Sequence, residues 1–142
     1  MIRHEASIHL DHPAQHVFAF LVDLQKLPMW QSNLVNTQAI TAGPLHAGSR
    51  FRELRKVRGK ESEIEGEVTT FVPNRRFATK TLNQPPVTIS YALDPEAGGT
   101  RLSYEFTMQT KGLMRLLEPM ILKSIRKESD SDLQRLKHIL EG

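Results

Sequence analysis

The 142-residue sequence contains no cysteine. Without thiols the chain can form neither a disulfide framework nor a thiolate metal site. It also lacks any apolar run approaching the roughly 20 residues that a helix needs to cross a bilayer. Residues 1–5 carry charge where a signal peptide requires an apolar core. We therefore expect a cytoplasmic protein with no stable membrane insertion.

Aromatic residues and net charge are also scarce. Aromatic side chains make up 6% of the sequence, and the formal net charge is only +3. Such a mild positive excess does not by itself indicate a nucleic-acid partner. A chain of this length is expected to form one domain, residues 1–142, and to bury roughly 70% of its unfolded surface. We find no repeat, low-complexity segment or interdomain linker.

The apolar residues that are present recur mainly at the period of a half-buried strand. The predicted strands cover residues 2–10, 34–40, 49–57, 60–72, 75–82, 87–93 and 102–108. Between the first two, the sequence Asp11-His12-Pro13 predicts the start of a short helix. A second short turn is expected to end near Trp30, the only tryptophan, which we expect to be at least partly buried. Residues 94–99 are predicted to form a loop or hairpin tip.

A hairpin with a defined register is predicted for residues 49–57 and 60–72. If the chain turns at Arg58-Gly59, the numbers of facing residues sum to about 117. Three outward pairs then join opposite charges: Arg50 with Glu67, Arg52 with Glu65, and Lys56 with Glu61. Each such pair adds a few tenths of a kcal/mol. The basic side chains on this hairpin are thus neutralised by their neighbours, which argues against a nucleic-acid patch.

The same register turns two charged residues, Glu53 and Arg55, toward the interior. Burying a charge is costly unless it is paired. These residues could anchor a polar group of a ligand, or Glu53 could accept a proton with a raised pKa. Alternatively they pair with each other or with a helix, or the true register differs by one residue.

Residues 113–141 are predicted to form one long terminal helix. Up to Ile125 the sequence is apolar on nearly every side, so we expect that half to be enclosed. From Leu133 onward the apolar stripe narrows, so the second half is expected only to dock. Pro119 predicts a kink or a helix start. Together the pattern predicts an α+β fold, in which about seven antiparallel strands are covered by the terminal helix and the short helices.

Several segments together resemble the polyketide cyclase/dehydrase-like group of the START/Bet v 1-like (SRPBCC) helix-grip superfamily. The resembling segments are residues 8–13, 17–18, 23–30, Gly48, Pro73, Tyr91 before an Asp-Pro turn, 99–102 and 133–137. The resemblance covers essentially the whole chain. It implies a curved antiparallel sheet, in the order β-α-α-β6-α, wrapped around the C-terminal helix. It further implies an internal cavity for a lipid, quinone or polyketide-like molecule, whereas catalysis does not follow from membership.

The predicted ligand contacts are the inward residues of the strands and the helix, together with the tryptophan. They are Trp30, Phe51, Glu53, Arg55, Ile64, Phe77, Ile89, Tyr91, Tyr104, Phe106, Met108, Leu117, Met120 and Ile121. Each of these apolar side chains could equally be ordinary core. Glu53 is the only catalytic candidate in the set. A small hydrophobic ligand is the expected partner, and the sequence does not indicate an oligomeric state.

Other polar constellations are weaker. Glu128 and Asp132 share a helix face, but the nearby basic residues predict surface ion pairs rather than acid–base chemistry. His12 and His16 lack a third metal ligand. No phosphate-binding glycine loop or dinucleotide fingerprint is present, so we expect no cofactor and no metal.

Three functions fit this reading. The first is a soluble protein that binds a small hydrophobic or amphipathic molecule. The second is a cyclase or dehydratase that uses Glu53 with a tyrosine or Arg55 in a dry pocket. The third is a protein-interaction module that uses the outer charged sheet or the groove.

Overall fold

The computed structural model describes residues 1–57 and 59–141. Arg58, which belongs to the predicted hairpin turn and basic run, and Gly142 lie outside the described residues. The strands are β1 (Ile2–Leu10), β2 (Leu34–Ala39), β3 (Arg50–Val57), β4 (Lys60–Val72), β5 (Arg76–Thr81), β6 (Val87–Glu96) and β7 (Gly99–Met108). The helices are α1 (Ala14–Leu21), α2 (Leu27–Trp30), α3 (Leu113–Leu116) and α4 (Glu118–Glu141), with a 3-10 turn at Leu24–Lys26.

The strands form one antiparallel sheet in the order β1-β7-β6-β5-β4-β3-β2. This arrangement confirms the predicted α+β fold with seven strands and a long last helix. The core lies between one face of the sheet and the helices, because the alternating apolar residues of each strand share that face. Its most deeply buried members include Leu10, Val17, Leu93, Leu102 and Leu136.

The predicted β3–β4 register is confirmed. Arg50 lies opposite Glu67, Arg52 opposite Glu65, and Lys56 opposite Glu61. The Arg52 guanidinium contacts Glu63 at 2.6 Å and Glu65 at 3.8 Å on the outer face. The same register places Phe51 and Glu53 on the buried face. The charge pattern of two adjacent strands was therefore enough to fix their pairing.

The alternation of inward and outward side chains along β4 is interrupted once. The pairing of β4 with β5 shifts by one residue between Val68 and Thr70. As a result Phe71, rather than Thr70, packs against the core, where its ring lies 5.3 Å from that of Phe18 and 6.1 Å from that of Phe77. A β-bulge of this kind adds one residue and bends the strand, which helps the sheet to curve.

The β6–β7 hairpin is tighter than the six-residue tip that the sequence predicted. Strand β6 continues to Glu96 and pairs with Gly99, so only Ala97 and Gly98 form the turn. Gly98 adopts a φ of 79°, which glycine tolerates at no steric cost. A Cβ on Gly99 would lie 2.0 Å from the carbonyl oxygen of Leu10, so no larger residue fits there.

The terminal helical segment is divided at Leu117, and α4 starts at Glu118. The prediction of a kink or helix start near Pro119 is confirmed. The predicted enclosure of the first half is wrong, because Leu113 and Leu116 are 79% and 78% exposed. The residues that α4 buries are Ser129, Leu133 and Leu136, and none of them precedes the middle of the helix.

The path of β1 explains this difference. The N-terminal amine of Met1 contacts Glu118 at 3.2 Å, and Lys137 donates a hydrogen bond of 2.9 Å to the carbonyl oxygen of His9. Helix α4 therefore follows β1 from one end to the other. The residues that precede Glu118 lie beyond this stretch of α4. No helix among the described residues is both long and apolar enough to cross a membrane.

Candidate functional site

A cavity of about 250 Å³ lies between the sheet and α4. A single water molecule needs a cavity of roughly 10–15 Å³, so this cavity is far larger than one or two waters require. Its lining comes from α2 and the segment after it, from β3–β7 and from α4. The lining residues are Trp30, Gln31, Asn33, Glu53, Arg55, Ile64, Thr81, Val87, Ile89, Tyr91, Tyr104, Phe106, Met108, Ile125, Glu128, Ser129, Asp132 and Leu133.

One side of the cavity is apolar. Strands β6 and β7 contribute two directly facing pairs, Val87 with Met108 and Ile89 with Phe106. Ile125 of α4 also lines the cavity. These residues form a continuous apolar wall because facing residues in an antiparallel pair point to the same side of the sheet.

A row of aromatic rings lines the middle of the cavity. The ring of Tyr91 lies 6.3 Å from that of Trp30 and 5.5 Å from that of Tyr104. Burial raises the pKa of both tyrosine hydroxyls, most strongly that of Tyr91. The phenols therefore stay protonated at neutral pH and can donate hydrogen bonds. The Tyr104 hydroxyl already accepts one from Ser129 at 3.3 Å.

The other side carries a group of polar residues that we call the polar cluster. Its members are Gln31, Asn33, Glu53, Arg55, Glu128 and Asp132. The Arg55 guanidinium is its centre and donates to the side chains of Asn33 (2.8 Å), Gln31 (2.9 Å) and Glu53 (3.0 Å). The mutual ion pair that the sequence left open as an alternative is thus present.

Glu128 and Asp132 bring two further carboxylates to the cavity. Glu128 accepts a hydrogen bond of 3.2 Å from Asn33, and Asp132 accepts one of 3.0 Å from the backbone N–H of Ser32. Desolvation raises the pKa of Glu128, with the neighbouring Asp132 charge as a smaller cause, and desolvation likewise raises the pKa of Asp132. The predicted surface pairing holds only in part: Arg135 lies 3.6 Å from Asp132.

The polar cluster is richer in acceptors than in donors. The cluster holds three carboxylates and one guanidinium, that of Arg55, which contacts only other groups of the cluster; outside the cluster, Arg135 lies 3.6 Å from Asp132. On the donor side, the indole N–H of Trp30 is buried and has no hydrogen-bond partner among the described residues. Buried polar groups normally have partners. A molecule entering the cavity would therefore meet carboxylate oxygens of Glu128 and Asp132 that have few donors around them.

Nine of the fourteen predicted contact residues line the cavity: Trp30, Glu53, Arg55, Ile64, Ile89, Tyr91, Tyr104, Phe106 and Met108. Phe51 and Phe77 are buried beside a smaller neighbouring space of about 40 Å³. Leu117, Met120 and Ile121 do not line the cavity, and Leu117 and Met120 are 46% and 58% exposed. Whether any of these residues touches a ligand remains a prediction.

The predicted contacts did not include nine of the lining residues: Thr81, Val87, Ile125, Leu133, Gln31, Asn33, Glu128, Ser129 and Asp132. One signal could have revealed the last three. Glu128, Ser129 and Asp132 fall on the same helical face as the buried Leu133 and Leu136, by the i, i+4, i+8 spacing. The polar residues that follow Trp30 in the loop before β2 carried no comparable signal.

Comparison with known proteins places the chain in a family. A family model described as "Polyketide cyclase / dehydrase and lipid transport" matches residues 1–141. The chain belongs to this family. The predicted SRPBCC membership is thereby confirmed, and the structures below agree with it. No curated protein matches the chain significantly.

Several solved structures share the fold. TTHA0849 from Thermus thermophilus has a TM-score of 0.82 at 17% identity, over 97% of this chain and 96% of that one. The di-domain ARO/CYC StfQ from the steffimycin biosynthetic pathway has a TM-score of 0.81 at 13% identity, over 99% of this chain and 50% of that one. Ara h 8.0201 has a TM-score of 0.76 at 16% identity, over 97% of this chain and 96% of that one. At such low identities the likeness concerns the fold alone.

Proposed function

We propose that the protein binds a small amphipathic molecule in the cavity between the sheet and α4, with its apolar part against β6 and β7 and its polar part at the polar cluster. The observation that carries this proposal is the two-sided lining. Pockets for small molecules are mostly apolar, with a few polar groups that fix the orientation of the ligand. The family description, which includes cyclases and lipid transport, agrees with such a role.

The polar cluster favours a head group that donates hydrogen bonds. Arg55 is already occupied by Glu53, Asn33 and Gln31, so it offers little to an anionic head group. The carboxylates of Glu128 and Asp132 are half-buried and each has few donors around it. An amine or a polyol would satisfy these acceptors, whereas a fatty-acid carboxylate would add repulsion.

A neutral fluorescent probe tests occupancy of the cavity. N-phenyl-1-naphthylamine should become more fluorescent on binding, and dodecylamine should displace it at lower concentration than laurate. Replacing Ile125, which lines the cavity, by tryptophan should reduce probe binding at least tenfold by filling the space. The matched control Leu116→Trp adds the same ring at an exposed position and should bind normally. Equal loss in both variants, or no probe binding by the native protein, would contradict the proposal.

A second candidate function is acid–base catalysis in the same cavity. It is favoured by one observation: a carboxyl with a raised pKa, Glu128, shares the cavity with the hydroxyl of Tyr104. In a dehydration, the Glu128 carboxylate could take the proton from the carbon next to the leaving hydroxyl and return it to that hydroxyl, which departs as water. Turnover of a hydroxylated polyketide-like substrate should then fall at least about a hundredfold in Glu128→Gln while probe binding persists. Unchanged turnover would remove Glu128 from the mechanism, and Glu53→Gln tests the original candidate in the same way.

A further inference from the structure

The segment that the fold leaves uncovered is itself amphipathic. Four apolar side chains, which we call the outer stripe, are exposed in and just after α3. They are Leu113 (79% exposed), Leu116 (78%), Leu117 (46%) and Met120 (58%). Their spacing is i, i+3, i+4, i+7, which is the spacing of one helix face, and the segment is divided at a single residue, Leu117. None of the residues of α3 is buried. Exposed leucines clustered in this way mark an interaction site more often than leucines scattered singly.

Positive charge surrounds the outer stripe. Residues 109–127 carry five basic side chains and one acidic one, a net charge of +4, whereas the whole chain carries only +3. The basic residues are Lys111, Arg115, Lys123, Arg126 and Lys127, and all five are exposed. Among the described residues none of them lies within 4 Å of a carboxylate. The single acid, Glu118, is occupied by the N-terminal amine and by Thr110.

An exposed apolar face bordered by basic residues fits a partner that is both apolar and negatively charged. We propose that the outer stripe and its basic border dock the protein on the surface of an anionic lipid membrane. Apolar side chains on one face enter the boundary between head groups and acyl chains, and the basic residues are attracted to the anionic head groups. A second copy of the chain is a poorer partner, because two such faces would bring ten positive charges together. The proposal concerns peripheral binding only.

The position of the stripe connects it with the cavity. Met108, which lines the apolar side of the cavity, ends β7 five positions before the start of α3, and the cavity-lining Ile125 follows the last residue of the stripe by five positions. A docked membrane would thus contact the chain segments on either side of the apolar wall. The docking proposal is nevertheless independent of ligand binding, because the residues of the outer stripe and its basic border are not part of the polar cluster, and the vesicle test does not involve that cluster.

Vesicle co-sedimentation of the full chain tests the proposal. The protein should bind vesicles that mix phosphatidylcholine with phosphatidylglycerol, and should bind vesicles of phosphatidylcholine alone at least tenfold more weakly. Binding should weaken as salt is raised, because salt screens exposed charges. Each basic residue near the lipid contributes about 1 kcal/mol, or about fivefold in affinity. The double variant Lys111→Gln/Arg115→Gln should therefore bind roughly twentyfold more weakly.

The apolar part is tested with Leu113→Ser/Leu116→Ser, which should lower affinity by about tenfold or more. Both positions are exposed, so thermal stability should not change. The matched controls are Val35→Ser/Ile40→Ser and Lys56→Gln/Arg75→Gln, exposed residues of the same kinds elsewhere, which should bind like the native protein. The proposal would be overturned if the native protein did not bind anionic vesicles, or if the serine variant bound them as well as the native protein does. It would also be overturned if the protein did not bind vesicles but formed concentration-dependent dimers that the serine variant abolishes.

Discussion

In the C-terminal helical segment, the half with more apolar residues is the more exposed, and the half with more charged residues supplies the buried ones. Residues 113–125 hold eight apolar side chains, yet the most exposed leucines of the protein are among them. Residues 128–141 are rich in charge, yet they supply Ser129, Leu133 and Leu136 to the buried interior and two carboxylates to the cavity. The first half offers a surface for docking, and the second half holds the sheet and completes the site.

This contrast shows that the position of a helix relative to the sheet, rather than its apolar content, decides what is buried. The elements that pack against α4 include β1 and α2, and Met1, just before β1, contacts Glu118 at the start of the helix. The exposed leucines Leu113 and Leu116 precede that point. Natural sequences keep such a run exposed mainly where a partner covers it.

The largest expected effect is on stability. Leu136 is fully buried, so Leu136→Ala should lower the free energy of unfolding by about 2–5 kcal/mol through lost contacts and the remaining cavity. Leu116→Ala, the same substitution in the exposed half, should change it by about 0.5 kcal/mol or less. Urea denaturation followed by circular dichroism measures both. Comparable losses in the two variants would show that the exposed half is packed in solution.

A smaller effect on stability is expected at the ion pair between Glu53 and Arg55 in the polar cluster. Removing the guanidinium in Arg55→Met leaves the buried Glu53 carboxylate and two amide oxygens without their donor, which should cost about 1–3 kcal/mol. The double variant Glu53→Gln/Arg55→Met should recover part of this loss, because the uncompensated charge is gone. Equal stability of the single and double variants would mean that the charge is solvated.

The carboxylates of the buried half should make stability depend on pH. Burial raises the pKa of Glu128 above its ordinary value of 4.5, so the folded state binds this proton more tightly than the unfolded state does. Stability from this group is complete below that value and is lost as the pH rises through the folded pKa. Glu128→Gln should flatten the profile across that window by a few tenths of a kcal/mol, after allowance for solvent screening. Ser124→Ala, exposed on the same helix, is the control; an unchanged profile in Glu128→Gln would contradict the assignment.

The smallest effect is expected at the exposed ion pairs of the outer face. Arg52 contacts Glu63 and Glu65, but its side chain is 45% exposed. Surface pairs of this kind contribute about 0–1 kcal/mol. Arg52→Gln should therefore be nearly neutral in denaturation at moderate salt, in contrast to Arg55→Met. A loss as large as that of Arg55→Met would show that exposure does not separate the two arginines.

The sequence predicts those features of the structure that depend on residues close together in the chain or on adjacent strands. The β3–β4 register follows from charges on neighbouring strands, and the helix start follows from Pro119, so both were predictable. The β-bulge at Thr70 carried no residue signal. The polar cluster joins the loop between α2 and β2 with β3 and α4, and only the tertiary fold brings those residues together. Enclosure of the first part of the last helical segment failed as a prediction because it depends on which elements pack beside that segment in the tertiary fold.

A crystal structure of the protein with dodecylamine tests the central claim most directly. The account predicts the amine nitrogen within about 3 Å of the carboxylates of Glu128 or Asp132, and the alkyl chain along Ile89 and Phe106. Electron density for the amine on the outside of the sheet only, with side chains closed over an empty interior, would contradict it.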